Sequence, residues 1–435
     1  MRKSIILIGV AALVFGACND KEETHELTGN EKLIDVATIS GSVQKGPFIN
    51  GTTVRVAELN SDLQQTGRNF ETQIGDNSGA FELKNVGQLS QYVMLHANGY
   101  YYNEVQDDVS ESQLSLYALT DLNGGTAPNI NVLTTLERPR VEYLTAHGTA
   151  FADAKHQAQS EVLGIFKIAS QVAEKSETLN IAGKNDGDAV LLAVSAILQG
   201  NLSVGAASEL IADVASDIRT DGKLDNNKLG AKLKGNAMSI NAAEIRTNLA
   251  NRYKELGIEA NVPDFGGIVK NFVSNTEFEL VSNLEYPSKG EYGKNLLAIN
   301  DTACMYGDYS MVVKVPSGTD LDIKISSSVD YAWEFQVLPG VNYSGWHKED
   351  NSRHFKYSGP CTVDINILLN KVSRDAVYDW YEKRIINEFV NNKVKFEVFE
   401  NGVLTLVKDF TILQEETCTE DFTKNENYRP APVDF

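Results

Sequence analysis

The stretch Asp217–Asp225, "DIRTDGKLD", holds the acids and the glycine of a calcium loop. Such a loop needs oxygen ligands at its first, third and fifth positions, Gly at the sixth and a bidentate Glu at the twelfth. Asp217, Asp221 and Gly222 fit, but Arg219 falls on the third position and Lys228 on the twelfth. Two cations where two anions are needed remove the charge that would hold Ca2+. The stretch therefore reads as a turn between helices that uses Asp and Gly for its geometry. His347, Asp350 and His354 in "WHKEDNSRH" carry metal-ligating chemistry, but the same composition is that of a polar loop, and no metal is assigned. The sequence has no G-x-S-x-G, H-E-x-x-H or Walker loop. With 59 acids, carboxylate pairs abound, and spacing singles out no glycosidase pair. No catalytic residue and no cofactor are assigned.

Cysteines and aromatics are the remaining candidates. Cys304, Cys361 and Cys418 all lie in the last third of the chain. In an oxidising compartment one disulfide among them is expected, in any of three pairings. Tyr100, Tyr101 and Tyr102 are consecutive; on a strand the outer two share one face and Tyr101 takes the other. Trp346 sits in "NYSGWHKED", a loop pattern. Exposed aromatics stack on sugar rings or anchor protein partners, so Tyr101 and Trp346 are the candidate ligand contacts. Trp333, on an alternating run, and Trp380, on a helical one, are expected in the core.

Three kinds of segment must position these residues. Residues 38–122 read as short strands and turns: "TTVRVAEL" sets Val54 and Val56 on one face, and "GDNSGAFEL" turns into Phe81 and Leu83. Turn signals recur often enough for an all-β sandwich. Residues 123–275 change to Ala, Leu and Ile at helical spacing. Asn131 and Gly148 bound a helix in which Pro139 should cause a kink or a split. Asp188 is the expected N-cap of "DGDAVLLAVSAILQG" and Gly200 its stop; Asn241 caps another helix, with Glu244 three residues on. The expectation is a helical bundle. Residues 276–435 return to alternation in "TDLDIKIS", "WEFQV", "TVDINIL" and "VKFEVF", with Asn401-Gly402 as a hairpin turn. "SRDAVYDWYEKRIINEFV" interrupts them as a helix capped by Ser373. The fold class expected is α+β multidomain: β-sandwich, helical domain, and an immunoglobulin- or fibronectin-like β-sandwich with one inserted helix.

Bulk composition limits the partners. The 435-residue chain carries a formal net charge of −20. Such a charge repels phosphate backbones, so no nucleic acid partner is expected. Arg2 and Lys3 precede an apolar run from Ile5 to Phe15 that is too short to span a bilayer, and small residues Gly16 and Ala17 follow. Residues 1–17 thus read as a signal peptide. "NDKEETHELTGNEK" is polar and without period, so residues 18–37 read as a disordered tether.

The four residues "FGAC", Phe15–Cys18, resemble the lipobox of bacterial lipoproteins, although Phe15 stands where that family usually has Leu. The resemblance implies acylation of Cys18, and several acyl chains hold a protein firmly to a membrane. Asp20, Lys21, Glu22 and Glu23 resemble the surface-export signal of Bacteroidota lipoproteins. Asp301-Thr302-Ala303 is similar to the short O-glycosylation acceptor of the same group. "GSV…GPFINGTTV", "DNSGAF" and "LHANGYY" resemble the transthyretin-like domain of the carboxypeptidase regulatory family, over about 80 residues. In that family such domains are spacers or binding modules. The expectation is an outer-membrane lipoprotein, lipid-anchored and exposed at the cell surface. It would act as a non-enzymatic binding or adhesion protein for an unknown surface protein or glycan. The alternatives are a glycan-binding accessory lipoprotein and an enzyme with a site at a domain junction.

Overall fold

The structure is a computed structural model that describes residues 33–169, 174–287, 294–304, 308–327, 333–338, 342–347, 352–369, 377–379, 384–386 and 392–413. Among the described residues the protein is mixed α+β, with seven α-helices and six sheets. Cys18, Asp20, Lys21, Glu22, Glu23, Asp350, Ser373, Trp380 and Cys418 lie outside the described residues.

The strands β1 (Leu33–Gln44), β2 (Thr53–Leu59), β3 (Gln65–Gln73), β4 (Ala80–Ser90), β5 (Tyr92–Gly99), β6 (Tyr102–Asn103), β7 (Asp108–Val109), β8 (Leu114–Asp121) and β9 (Ile130–Asn131) come first. They form a three-stranded sheet β4-β1-β9, a four-stranded sheet β3-β2-β5-β8 and the pair β6-β7. The tether ends earlier than its polarity implies: Leu33 already pairs with Ser90, and Val36 is buried. Period-two alternation explains the layering. Val54 and Val56 of β2 and Val93, Leu95 and Ala97 of β5 face one way, and meet Ile39, Val43, Phe81 and Leu83 of the other sheet in one apolar cluster.

The helices are α1 (Val132–Ala146), α2 (Phe151–Ile165), α3 (Asp186–Gln199), α4 (Val204–Asp217), α5 (Asn227–Ser239), α6 (Ala242–Glu255) and α7 (Gly266–Asn275). The switch from sheet to helix takes one residue. Asn131 pairs with Gln44 of β1, and its side chain also caps α1 by accepting from the Thr134 N–H at 3.0 Å. Helix α1 runs on through Pro139 without a break. In α3 the cap residue is Asn185, not Asp188. Asp188 stands three residues on, and its carboxylate accepts from the Asn185 N–H at 3.0 Å. Every residue of α3 from Gly187 to Gln199 is buried, the signature of a helix that is apolar all round. No described helix is by itself long and apolar enough to cross a membrane.

The boundary expected near residue 123 is a change of secondary structure inside one core. A single cluster of buried side chains runs from Val36 through Ile130 and Leu192 to Phe272. A smaller cluster packs Val141, Leu144, Ala154 and Ala158 of α1 and α2 onto Leu59 and Leu119, on the outer face of the four-stranded sheet.

Buried charges tie these layers together. Lys45 Nζ donates to Glu104 Oε1 at 2.5 Å, and both side chains are fully buried. Ser195 of α3 donates to the Lys45 carbonyl at 2.8 Å, and Asn248 of α6 to the Glu104 carbonyl at 3.1 Å. Burial pushes the Lys45 ammonium below its ordinary pKa, and the Glu104 carboxylate opposes that shift. Lys155 of α2 lies 3.1 Å from both Glu137 and Glu177. Burial alone would lower its pKa, but the two carboxylates outweigh burial and raise it.

The remaining strands are β10 (Lys294–Asn295), β11 (Thr302–Cys304), β12 (Asp308–Val315), β13 (Asp320–Ser327), β14 (Trp333–Leu338), β15 (Asn342–His347), β16 (Ser352–Ser358), β17 (Cys361–Leu369), β18 (Val377–Asp379), β19 (Arg384–Ile386), β20 (Asn392–Glu400) and β21 (Val403–Leu413). They build a sheet β10-β12-β17-β14 and a sheet β11-β21-β20-β13-β16-β15. Met311, Val313, Val363 and Ile365 of the first meet Leu321, Ile323, Ile325 and Phe396 of the second in one cluster. The helix expected over 373–390 is overturned where the chain is described. Residues 377–379 and 384–386 are antiparallel strands, with Val377 opposite Ile386 and Tyr378 opposite Ile385. β-branched and aromatic residues favour extended pairing, and that preference outweighs the helical spacing. The Asn401–Gly402 turn holds, with φ of 49° and 82° as a two-residue hairpin turn of mirror-image type requires.

Candidate ligand-binding cleft

The alternation that buries Leu321, Ile323 and Ile325 must turn Asp320, Asp322 and Lys324 to the opposite face of the six-stranded sheet. Register then builds rows across the strands. Asp322 lies opposite Lys356, and Lys324 lies between His354 on one side and Glu397 on the other. His354 Nδ1 is 3.1 Å from each oxygen of Asp322, while Lys395 Nζ donates to Glu397 at 2.5 Å. The Ser358 hydroxyl donates to Asp320 at 2.7 Å.

The second wall comes from the helices. Asn201, after α3, and Ser239, at the end of α5, close a cleft of about 640 Å³ over this face. Two close approaches hold the walls together. A Cβ on Gly402 would lie 2.6 Å from the Asn201 carbonyl oxygen, and one on Gly235 of α5 would lie 2.2 Å from that of Leu404. Asn401 also bonds to Asp320 in both directions: its N–H donates to the Asp320 carbonyl, and its Oδ1 accepts from the Asp320 N–H, each at 2.8 Å. The cleft is thus a junction of helix, hairpin tip and sheet. It presents carboxylates, ammonium groups and an imidazole held by a carboxylate, all suited to hydrogen-bonding a polar ligand.

The residues singled out in the sequence fare differently. Tyr101 is corrected: it is fully buried, stacks on Phe48 at 5.6 Å and donates its hydroxyl to Gln199 at 2.8 Å. The chain turns inward there, so Tyr101 offers no surface to a ligand, and Tyr100, 42% exposed, is the outward ring of the three. Trp346 lies on the edge strand β15 rather than in a loop, opposite Arg353. His347 is opposite Ser352, and His354 turns to Asp322. Among the described residues, no three His, Cys, Asp or Glu side chains gather to hold a metal. Asp217 ends α4 and accepts from the Asp225 and Asn226 N–H groups, so its carboxylate shapes the turn into α5. Cys361 is a free thiol, and Cys304 lies on β11. Thr302 is exposed on that same edge strand. Asp322 and Lys356 were missed. The alternation in "TDLDIKIS" carries the signal for the row, but nothing local points to the helical wall.

No family model matches the chain, and no curated protein matches it. Among solved structures it is similar to a family 123 glycoside hydrolase from Clostridium perfringens, described in a study of glycolipid glycan hydrolysis. The two share 11% identity over 30% of this chain, with a TM-score of 0.16. The match spans 27% of that structure's length, too slight a likeness to bear on fold or function.

Proposed function

We propose that this protein is a lipid-anchored, cell-surface binding protein without enzymatic activity, and that the cleft over β13, β16 and β20 takes its ligand, a surface protein or glycan. In this reading Cys18 is acylated and Asp20, Lys21, Glu22 and Glu23 direct export. The two N-terminal sheets are a transthyretin-like module braced by the helices. The last two large sheets are an immunoglobulin- or fibronectin-like module. The observation that carries the reading is the composition of the cleft. Its acids and bases alternate and pair with one another, as suits a surface that exchanges internal hydrogen bonds for those of a polar ligand. The pairs at Lys45 and Lys155, by contrast, are buried inside the fused β and helical core.

Display of the full-length protein on glycan and surface-protein arrays tests the proposal. Binding that disappears on charge reversal by Lys324→Glu with Lys356→Glu is the expected result. Turnover in an unbiased hydrolase screen that is abolished by His354→Ala would overturn it in favour of an enzyme at this junction. Proteinase treatment of intact cells tests the location. Cleavage of the wild type is expected, with protection when residues 20–23 are all Ala; a wild type already protected places the protein on the periplasmic face.

A further inference from the structure

The outer face of the four-stranded sheet is only half covered. Helices α1 and α2 pack over its Met94 and Leu119 row. The next row stays open: register sets Glu71, Arg55, His96 and Tyr117 side by side across β3, β2, β5 and β8. His96 and Tyr117 stack with centroids 4.5 Å apart and planes 8° apart, and Arg138 reaches from α1 to within 4.3 Å of the Tyr117 centroid. Beside the rings runs a polar row. Ser115 donates to Asn98 at 3.1 Å, and Asn98 donates to Gln113 at 2.9 Å. The helix edge and the sheet face thus form a corner with aromatic, amide, hydroxyl and guanidinium groups.

Its electrostatics oppose those of the whole chain. Against a formal net charge of −20, the corner holds two arginines in long ion pairs. Arg55 is 3.8 Å from Glu71 with more than half of each side chain exposed, and Arg138 is 3.7 Å from Glu142. Arg138 Nε is buried without an acceptor among the described residues. Burial first, and then the charges of Arg55 and Arg138, hold the His96 imidazole below its ordinary pKa.

We propose that this corner is a second binding site, for a carboxylate-bearing sugar: the sugar packs against the solvent-facing rim of the His96–Tyr117 stack, its hydroxyls meet Asn98 and Ser115, and its carboxylate meets Arg55 and Arg138. The proposal rests on the reading of the chain as a binding protein. An acidic peptide would also satisfy the arginines. An apolar ring rim beside an amide and hydroxyl row favours a sugar, whose C–H groups pack on the rim while its hydroxyls hydrogen-bond to the row.

The test titrates the full-length protein in detergent with glucuronate, galacturonate and N-acetylneuraminate oligosaccharides, with their neutral counterparts, and with oligoglutamate. The acidic sugars are expected to bind and the neutral ones to bind more weakly. Arg55 is exposed, so Arg55→Ala should leave the fold intact while weakening the acidic sugars by about tenfold, the scale of one lost charge-assisted hydrogen bond. His96→Ala should weaken acidic and neutral sugars alike, and Arg55→Lys should restore part of the loss. Failure of all three acidic sugars to bind at about 10 mM, binding unchanged in Arg55→Ala, or preference for oligoglutamate overturns the proposal. The Lys324→Glu, Lys356→Glu variant separates the two sites. If it loses array binding but keeps acidic-sugar binding, the two sites are distinct and both readings stand; if array binding is untouched by this charge reversal while Arg55→Ala weakens the acidic sugars, the cleft reading falls and this one stands.

Discussion

Replacing Lys45 by Met should destabilise the fused β and helical core far more than an ordinary buried substitution. Lys45 and Glu104 are both fully buried, 2.5 Å apart. Without the ammonium, Glu104 Oε1 keeps only a share of the Ser195 hydroxyl, 3.2 Å away and closer to the Lys45 carbonyl, and among the described residues Oε2 has no partner even in the wild type. Removing one member of a buried pair strands the other charge and costs about 3–5 kcal/mol. At about 2–4 °C per kcal/mol for a core of this size, the melting temperature should fall by roughly 6–20 °C. Circular dichroism of the helical signal during urea and thermal unfolding reads this loss, because all seven described α-helices lie between Val132 and Asn275. The double variant Lys45→Met, Glu104→Leu should recover most of it, since apolar replacement of both partners is close to neutral. A loss below about 1 kcal/mol for the single variant, or a double variant as unstable as the single, would refute the assignment of this pair as the tie between layers.

Two further outcomes are expected. Because Cys361 is a free thiol, any disulfide joins Cys304 to Cys418; thiol titration of the denatured mature chain should find one thiol, lost in Cys361→Ser, and three thiols would exclude the bridge. Burial pushes the Tyr286 and Tyr357 hydroxyls up to about 12 from 10.0, so between those values the folded chain keeps protons that the unfolded chain has released; stability should fall as pH rises above 10.0, and phenolate absorbance should show both groups titrating late.

Local rules determine much of this protein from sequence alone. Alternation in β2, β13 and β20, the Asn131 and Asn241 caps and the Asn401–Gly402 turn depend on neighbours in the chain, and they appear as their residues dictate. So does the turn at Asp217, whose missing calcium ligands can be counted by position. Tertiary structure decided the rest, because it turns on partners far away in sequence. Polar residues before Val36 do not reveal that Leu33 will find Ser90. Three tyrosines in a row do not reveal which one meets Gln199, 98 positions on, and so loses its surface. The change of composition near residue 123 looks like a boundary, yet the apolar faces on both sides of it close over each other. The cleft is the clearest case. Its charged row is written in strand periodicity, but it becomes a cleft only where Gly402 and Gly235 let the hairpin and α5 approach closely, a contact between segments about 160–200 residues apart that packing alone selects.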